Sequence, residues 1–363
     1  MFKILSLEEE VFGLDINDLS LKVVKLKKSR GGFRLVSFNE VKIAPDIIND
    51  GVIKNEEALA KIIKSACDTV KGKKLNTKYV IASLPEEKSF LQVIQMPKMS
   101  LEQLNLSVPL EAENYIPIPV EEAYLDFQVI APVKDYLNRL EVLIVAVPKK
   151  IADSYVSCFK KAGLIPVALE AESEAIARAL VKKETKSGLL ILVDFGENNT
   201  DFIVFSGSSI RFTCSLPISS QLITKAISES LKISIEEAEK LKIEYGLTGG
   251  KDANVTEQIS QIISPILKDL SEQIKKYLNF YRDHSSFEYL LPDGKTEKIL
   301  FCGGGASLKG LTEFMSRNLE IPVELGDPTS NFIAKKIKNI AKENLMHFTT
   351  AIGLALREDN VNL

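Results

Sequence analysis

The sequence predicts an α/β fold built from two related halves, and three observations carry that expectation. Short β-rich runs alternate with helical runs along the chain, the pattern of an α/β protein. The length of 363 residues exceeds the roughly 250–300 residues at which single cores stop growing, so two domains are expected. A strand–Asp–turn–strand unit also occurs twice, half a chain apart. In the first unit Val11–Ile16 reads as a strand, Asn17–Leu19 as a tight turn and Leu21–Leu26 as the returning strand. In the second, Leu189–Phe195 is the strand, Gly196–Asn199 the turn and Thr200–Phe205 the return. Each unit carries an aspartate at the end of its first strand, Asp15 or Asp194, and a hydroxyl residue after its turn, Ser20 or Thr200.

The remaining elements follow in order. Asn55–Val70 reads as an amphipathic helix and Tyr79–Ser83 as an apolar strand. A β-rich region comes next, with strands at Ser89–Met96, Tyr124–Ile130 and Glu141–Val147 and helices at Leu101–Asn114 and Lys150–Ala162. Pro97, Pro117 and Pro119 punctuate it, and residues 85–165 have the character of an inserted subdomain. Ala171–Lys183 leads as a helix into the second unit. Helices follow at Ile218–Leu231 and at Ser234–Tyr245, the latter ended by Gly246. In Thr256–His284, Ile259, Ile263, Ile266, Leu270, Ile274 and Leu278 recur at helical spacing, and Pro265 predicts a kink or break. Lys298–Cys302 is a strand, a helix starts near Leu308, and Thr349–Leu356 is the last helix.

Composition narrows the function. Lys plus Arg is 46 and Asp plus Glu is 49, a net charge of −3, without the basic excess of a dedicated nucleic-acid binder. A hydrophobic fraction of 45% excludes wholesale disorder. Cys67, Cys158, Cys214 and Cys302 are scattered with no C-x-x-C pair, which fits a reducing cytoplasm and offers no zinc motif. Neither histidine, His284 or His347, sits in a setting that suggests a metal site or a Ser–His–Asp triad. The start of the chain, with three consecutive glutamates, is not a signal peptide. Apolar runs such as Val142–Val147 and Leu189–Val193 are far shorter than the roughly 20 residues that span a bilayer. Lys27–Lys28–Ser29–Arg30 reads as a solvated hairpin tip before Gly31–Gly32.

Four elements point to a ligand. Backbone N–H groups in a tight turn between strands cradle phosphate oxygens, and an aspartate on each strand can hold a hydrated Mg²⁺ between two domains. Ordinary hairpins shaped by their aspartates are the bland alternative. The third element is Ile299-Leu300-Phe301-Cys302-Gly303-Gly304-Gly305-Ala306-Ser307-Leu308-Lys309-Gly310, a strand running into glycines and then a helix, where the backbone can approach an anionic or flat ligand. A close helix–strand crossing would explain the glycines equally. The fourth is Ala238-Glu239-Lys240-Leu241-Lys242. Glu239 and Lys242 share a helix face, placed for a ribose or base, or form a simple ion pair.

Taken in order, these elements resemble the nucleotide-binding motifs of the actin/FtsA superfamily. Asp15–Lys22 looks like phosphate-1, Asp194–Asp201 like phosphate-2, Glu239 and Lys242 like the ribose-contacting helix, and Gly303–Gly310 like the adenosine loop. Other segments resemble one branch, the type IV pilus assembly protein PilM family. They are Ala82-Ser83-Leu84-Pro85-Glu86, Glu111-Ala112-Glu113-Asn114-Tyr115-Ile116-Pro117-Ile118-Pro119, Tyr124-Leu125-Asp126-Phe127, Tyr281-Arg282-Asp283-His284 and Ala351-Ile352-Gly353-Leu354-Ala355-Leu356. The resemblance covers nearly the whole chain.

The resemblance implies an actin-like ATPase fold of two RNase H-like domains with an FtsA-type inserted subdomain. Domain I would comprise residues 1–185, with the insertion at about 85–165 and the C-terminal segment 341–363 returning to it, and domain II residues 186–340. It implies ATP with Mg²⁺ between the halves, held by Asp15, Asn17, Asp18, Ser20, Lys22, Asp194, Gly196, Asn199, Thr200, Glu239, Lys242, Gly303, Gly304, Gly305 and Ser307, with Asp15 and Asp194 toward the metal. Catalytic residues stay unassigned, and any ATPase activity is expected to be weak. The implied partner is the N-terminal cytoplasmic peptide of a PilN-like inner-membrane protein. Other pilus platform or motor proteins and self-association are compatible with it. The protein would be cytoplasmic, peripheral to the inner membrane through its partner, with no nucleic acid bound.

Two residues depart from the family pattern. Phosphate-1 usually begins Asp-Ile-Gly-Ser; here it is Asp15-Ile16-Asn17-Asp18. Glu197 stands where phosphate-2 usually has a small residue. Pointed inward, each carboxylate would oppose a phosphate at a cost of about 4 kcal/mol at 4 Å and an effective dielectric of 20. A degenerate scaffold that binds no nucleotide therefore remains open, as does a sugar kinase of the same superfold, although no general base can be named for one. An FtsA-like division protein would end in an amphipathic helix. Leu356-Arg357-Glu358-Asp359-Asn360-Val361-Asn362-Leu363 has no apolar face.

Overall fold

Two mixed β-sheets, each covered by helices, organise the computed structural model, which describes residues 10–29, 32–130, 138–182, 189–284, 296–331 and 342–357. Residues 1–9, Arg30, Gly31 and the tail 358–363, on which parts of the sequence reading rest, lie outside the described residues.

The first sheet is formed by β1 (Phe12–Ile16), β2 (Ser20–Ser29), β3 (Gly32–Lys42), the short β6 (Lys71–Gly72), β7 (Tyr79–Leu84) and β11 (Ile165–Ala171). A two-residue ribbon, β4 (Ile48–Asn49) with β5 (Val52–Ile53), sits beside it. The second sheet holds β12 (Leu189–Phe195), β13 (Thr200–Ser206), β14 (Ser209–Leu216), β15 (Thr296–Cys302) and β16 (Val323–Leu325). It continues through β8 (Phe90–Pro97), β10 (Arg139–Pro148) and β9 (Ala123–Ile130). The strand order β11-β7-β1-β2-β3 in the first sheet matches β16-β15-β12-β13-β14 in the second. In both, the first three are parallel neighbours and the last three form antiparallel hairpins. The repeated Asp-turn unit is thus the central hairpin of a duplicated five-stranded layer.

Helices cover each layer as their apolar faces require. α1 (Glu56–Asp68) starts at Asn55, whose side-chain oxygen accepts from the Ala58 N–H at 3.0 Å, and buries Leu59, Ile63 and Ala66. It shares the first core with α3 (Lys149–Lys161), through Ile151, Tyr155, Cys158 and Phe159. α4 (Glu172–Leu180) lies between the two sheets and crosses α9 (Thr349–Ala355). α5 (Ser220–Leu231), α6 (Ile235–Tyr245), α7 (Ala253–His284) and α8 (Leu311–Leu319) cover the outer face of the second sheet.

Three expectations are refined. The stretch 85–165 is not one unit: β8, α2 (Leu101–Ala112), β9 and β10 build a core of their own around Ile94, Leu104, Val108 and Ile144, whereas α3 packs into the first core. The inserted strands also join the second sheet, through a β14–β8 contact at Phe212 and Gln92. Pro265 does not end α7, a 32-residue helix that continues past it to His284. The proline is on the exposed face, where water can satisfy the carbonyl it strands. On the buried face Leu267 takes the place expected of Ile266, which is only half-buried.

The α4–α9 crossing requires Gly353. A Cβ there would stand 1.9 Å from the Ala175 carbonyl oxygen, and Arg178 Nη1 donates to the Gly353 carbonyl at 2.9 Å. Gly353→Ala is expected to destabilise the protein by about 1–3 kcal/mol through overpacking, read as a lower urea midpoint with an unchanged slope.

Candidate functional site

The charged residues at the turn ends of the two central hairpins come within each other's fields: Asp194 acts on Lys22, and Lys22 and Asp15 act on Asp194. Asp15 and Lys22 are cross-strand partners in β1–β2, with Lys22 Nζ 3.6 Å from Asp15 Oδ2. Both are almost fully buried. Lys22 also donates to Ser20 Oγ at 3.2 Å, and Ser83 Oγ donates to Asp15 Oδ1 at 3.0 Å. Burial alone would lower the Lys22 ammonium, but the surrounding carboxylates of Asp15, Glu40, Asp194 and Glu172 outweigh it and hold its pKa above the ordinary value. Asn17, with its amide nitrogen turned to the carboxylates, donates to Asp15 Oδ1 at 3.3 Å and Glu172 Oε1 at 3.1 Å.

Across the junction, Asp194 is paired with Asp201 on β13. Burial pushes its carboxyl up to about 6; Lys22 opposes this, and Asp15 adds to it. Its Oδ1 is buried without a hydrogen-bond partner. Gly196 closes the second turn with its N–H 2.9 Å from the Asn199 carbonyl oxygen, and a Cβ there would lie 2.7 Å from that oxygen. The carbonyls of Gly196 and Glu197 accept from the first N–H groups of α5, at Ser220 and Gln221.

The glycine loop forms a third wall. Gly303 has φ +83°, and an added Cβ would lie 2.0 Å from Asp194 Oδ1. At Gly305 a Cβ would lie 2.6 Å from the Phe195 ring. Gly304 differs: its nearest neighbour would be His347 Nδ1, at 3.6 Å. Ser307 Oγ donates back to the Gly304 carbonyl at 2.7 Å, inside a 3₁₀ turn over Gly304–Ser307.

Some of the expected ligand-facing side chains are already committed within the protein. Thr200 Oγ1 donates to the Ile218 carbonyl and is fully buried. Lys242 is buried, donating to Ser220 O and Oγ and to Thr224 Oγ1 and lying 2.7 Å from Glu239 Oε2, so it fastens α6 to α5 rather than forming an exposed pair. Asp18 does not oppose a phosphate: its carboxylate accepts from the Asp50 N–H at 2.7 Å and the Gly51 N–H at 3.0 Å. Glu197 has cationic company. Burial, helped by Glu239, holds its carboxyl above the ordinary value against the opposing pull of Lys22, Lys242 and Lys42.

Three acidic residues of this junction had no assigned role in the sequence reading. Glu172 begins α4, Glu86 follows Pro85, and Asp201 opens β13 beside Thr200. Burial raises the carboxyl of each, and neighbouring acids raise those of Glu172 and Asp201 further. In the sequence Glu172 is indistinguishable from an ordinary acidic residue in a first helical turn. Only the strand order brings these carboxyls to Asp15 and Asp194.

The donor set suits a hydrated divalent ion. Among the described residues no group of three or more His, Cys, Asp or Glu side chains is arranged to hold a metal. Mg²⁺ needs only one or two carboxylates when waters and ligand phosphates complete its shell, and the orphaned Asp194 Oδ1 is a free acceptor for such a shell.

The family model for type IV pilus assembly protein PilM matches residues 13–359. The chain belongs to the PilM family. The solved PilM-PilN type IV pilus biogenesis complex aligns with a TM-score of 0.80 at 25% identity, over 97% of this chain and 99% of that one. Cell division protein FtsA of Neisseria meningitidis serogroup B is 23% identical over 291 residues, 72% of this chain and 68% of FtsA. MreB5 of Spiroplasma citri bound to ADP, at 13% identity and a TM-score of 0.56 over 97% of both chains, shares the actin-like fold. Among the described residues no helix is long and apolar enough to cross a membrane.

Two expectations follow for this site. Gly304→Ala should fold with an unchanged melting temperature yet weaken nucleotide binding at least tenfold, whereas Gly303→Ala should lower the melting temperature because its φ and space both exclude a Cβ. Asp194 starts from an ordinary 3.8 and is raised to about 6 by folding, so ionising it works against the fold. That loss grows as pH rises from about 4 through 6 and is complete above. Asp194→Asn should therefore stabilise the metal-free protein at pH 8 but not at pH 4, by thermal melts at both.

Proposed function

We propose that this chain is an actin-like component of the type IV pilus assembly platform that binds ATP with Mg²⁺ between its two halves. In this reading it recruits the N-terminal cytoplasmic segment of a PilN-like inner-membrane protein and so reaches the membrane through that partner. The partner half rests on family membership and on the near-complete alignment with the PilM-PilN complex. The nucleotide half rests on one observation: Asp15, Lys22 and Asp194 converge from two duplicated hairpins beside a glycine loop.

The surplus of carboxylates sets the order of events. A triphosphate here adds negative charge to Asp15, Glu172, Asp194 and Asp201, of which burial and mutual repulsion already push the last three toward their protonated forms, with Lys22 the buried cation beside Asp15. Asp15 and Asp194 are the residues that would hold a Mg²⁺ ion, which would supply positive charge for the phosphates. Residues 186–340 act as one half in this reading, closing on the first sheet around the ligand.

A scaffold that binds no nucleotide is the second reading, favoured by the committed side chains of Thr200 and Lys242. Calorimetric titration separates the two. Micromolar ATP binding with Mg²⁺ that disappears in EDTA is expected, and absence of heat under both conditions selects the scaffold. Titrating a synthetic peptide copying a PilN-like N-terminus, with and without ATP, measures the coupling. Reciprocity requires that a peptide affinity changed by ATP be matched by the same factor in ATP affinity.

A further inference from the structure

We propose that His347 is a ligand-contacting residue of the cleft, donating a hydrogen bond to the phosphate portion of the bound nucleotide. The inference rests on the nucleotide reading above and adds a residue to it.

The geometry comes from three directions. His347 lies in the 3₁₀ segment Lys342–Phe348, which packs on the 3₁₀ turn of the glycine loop. Its ring faces Gly304, with Nδ1 3.6 Å and Cε1 3.7 Å from where that residue's Cβ would be. Gly304 is the one glycine of the three whose missing side chain is not demanded by packing against Asp194 or Phe195. Gly304 and the imidazole in van der Waals reach of its Cβ position therefore form one surface. The charged groups that act on His347 are Lys22 of β2 and Glu40 of β3. A ligand lying between Lys22 and the glycine loop passes the imidazole.

The chemistry fits an anion. The ring is half-buried, and burial lowers its pKa; Glu40 raises it and Lys22 lowers it. Neutral imidazole still has one N–H to donate. A polyphosphate placed beside it adds negative charge and favours the protonated ring. The bound pKa then exceeds the free pKa, so binding takes up protons. Affinity should rise as pH falls through the bound value and level off below the free one.

The test compares the full chain with His347→Asn and His347→Gln. Calorimetric titrations with Mg²⁺-ATP, Mg²⁺-ADP and adenosine are run from pH 5.5 to 8, in two buffers of different ionisation enthalpy. Melting temperatures check the fold. The wild type should take up a fraction of a proton on binding ATP. Both variants should lose five- to twentyfold in ATP affinity, lose that uptake relative to wild type and bind adenosine as before. Comparison with the variants cancels protonation of the nucleotide itself. Unchanged ATP affinity and proton uptake in variants that melt normally overturns the inference alone. Equal loss for adenosine and ATP without a change in proton uptake also overturns it, since that pattern marks a structural role. No ATP binding by the wild type overturns the nucleotide reading instead.

Discussion

Two hairpins that bring carboxylates to one another across the junction of two cores create a like-charge problem, and Lys22 is the group that offsets it. Its ammonium is buried, paired with Asp15 on its own hairpin and within the field of Asp194 on the other and Glu172 on α4. Replacing it would leave those carboxylates with no buried cation, which is costlier than losing the pair itself. Even with Lys22 the balance is incomplete, because Asp194 and Asp201 each keep a buried oxygen without a hydrogen-bond partner. A site held in this state has been left short of positive charge and of hydrogen-bond donors. The proposed hydrated divalent ion would supply both.

The second constraint is mechanical. The inserted strands are not a free appendage: β8 pairs with β14, and Glu141 on β10 forms a fully buried ion pair with Arg211 on β14. Arg211 Nε also donates to the Ser206 carbonyl at 2.9 Å. The insertion is at the same time chained to the first sheet, through β7 on one side and α3 on the other. Breaking the Glu141–Arg211 pair would strand a buried charge, so rupture costs more than small adjustments that keep it. The side of the insertion facing β14 is therefore bound to follow the second half.

Much of the fold was legible because its signals are local. The apolar runs of β1, β7 and β12, the capped start of α1 and the spacing along α7 each announce an element without reference to the rest. The duplicated Asp-turn unit went further and exposed the duplication of the whole layer. What could not be read was set by tertiary packing. α3 belongs to the first core because of what Tyr155 and Phe159 meet, not because of any boundary in the sequence. Pro265 is tolerated because it faces water. At the site, Asp15, Lys22, Asp194 and the glycines were visible from type and position. The commitments of Asp18, Thr200 and Lys242 to nearby oxygens and N–H groups were not, since hydrogen-bond partners 18 or 32 residues away leave no local pattern. Glu172, Glu86 and His347 were hidden for the same reason.

The reassignment of Asp18 changes how the unusual phosphate-1 turn is understood. A carboxylate at this position is expected to oppose a phosphate if it points inward. Instead it accepts two backbone N–H groups of the turn between β4 and β5, a charge-assisted arrangement that an alcohol side chain could reproduce only weakly. Asp50 and Gly51 both have positive φ in that turn, and the Tyr155 hydroxyl of α3 donates to the Gly51 carbonyl at 3.2 Å. Asp18 thus links the phosphate-1 turn to the loop that α3 braces, and α3 is the element through which the insertion returns to the first core. The departure from the family's Asp-Ile-Gly-Ser pattern is a structural tie between the first hairpin's turn and the root of the insertion. The same bonds hold its negative charge against the N–H dipoles of Asp50 and Gly51.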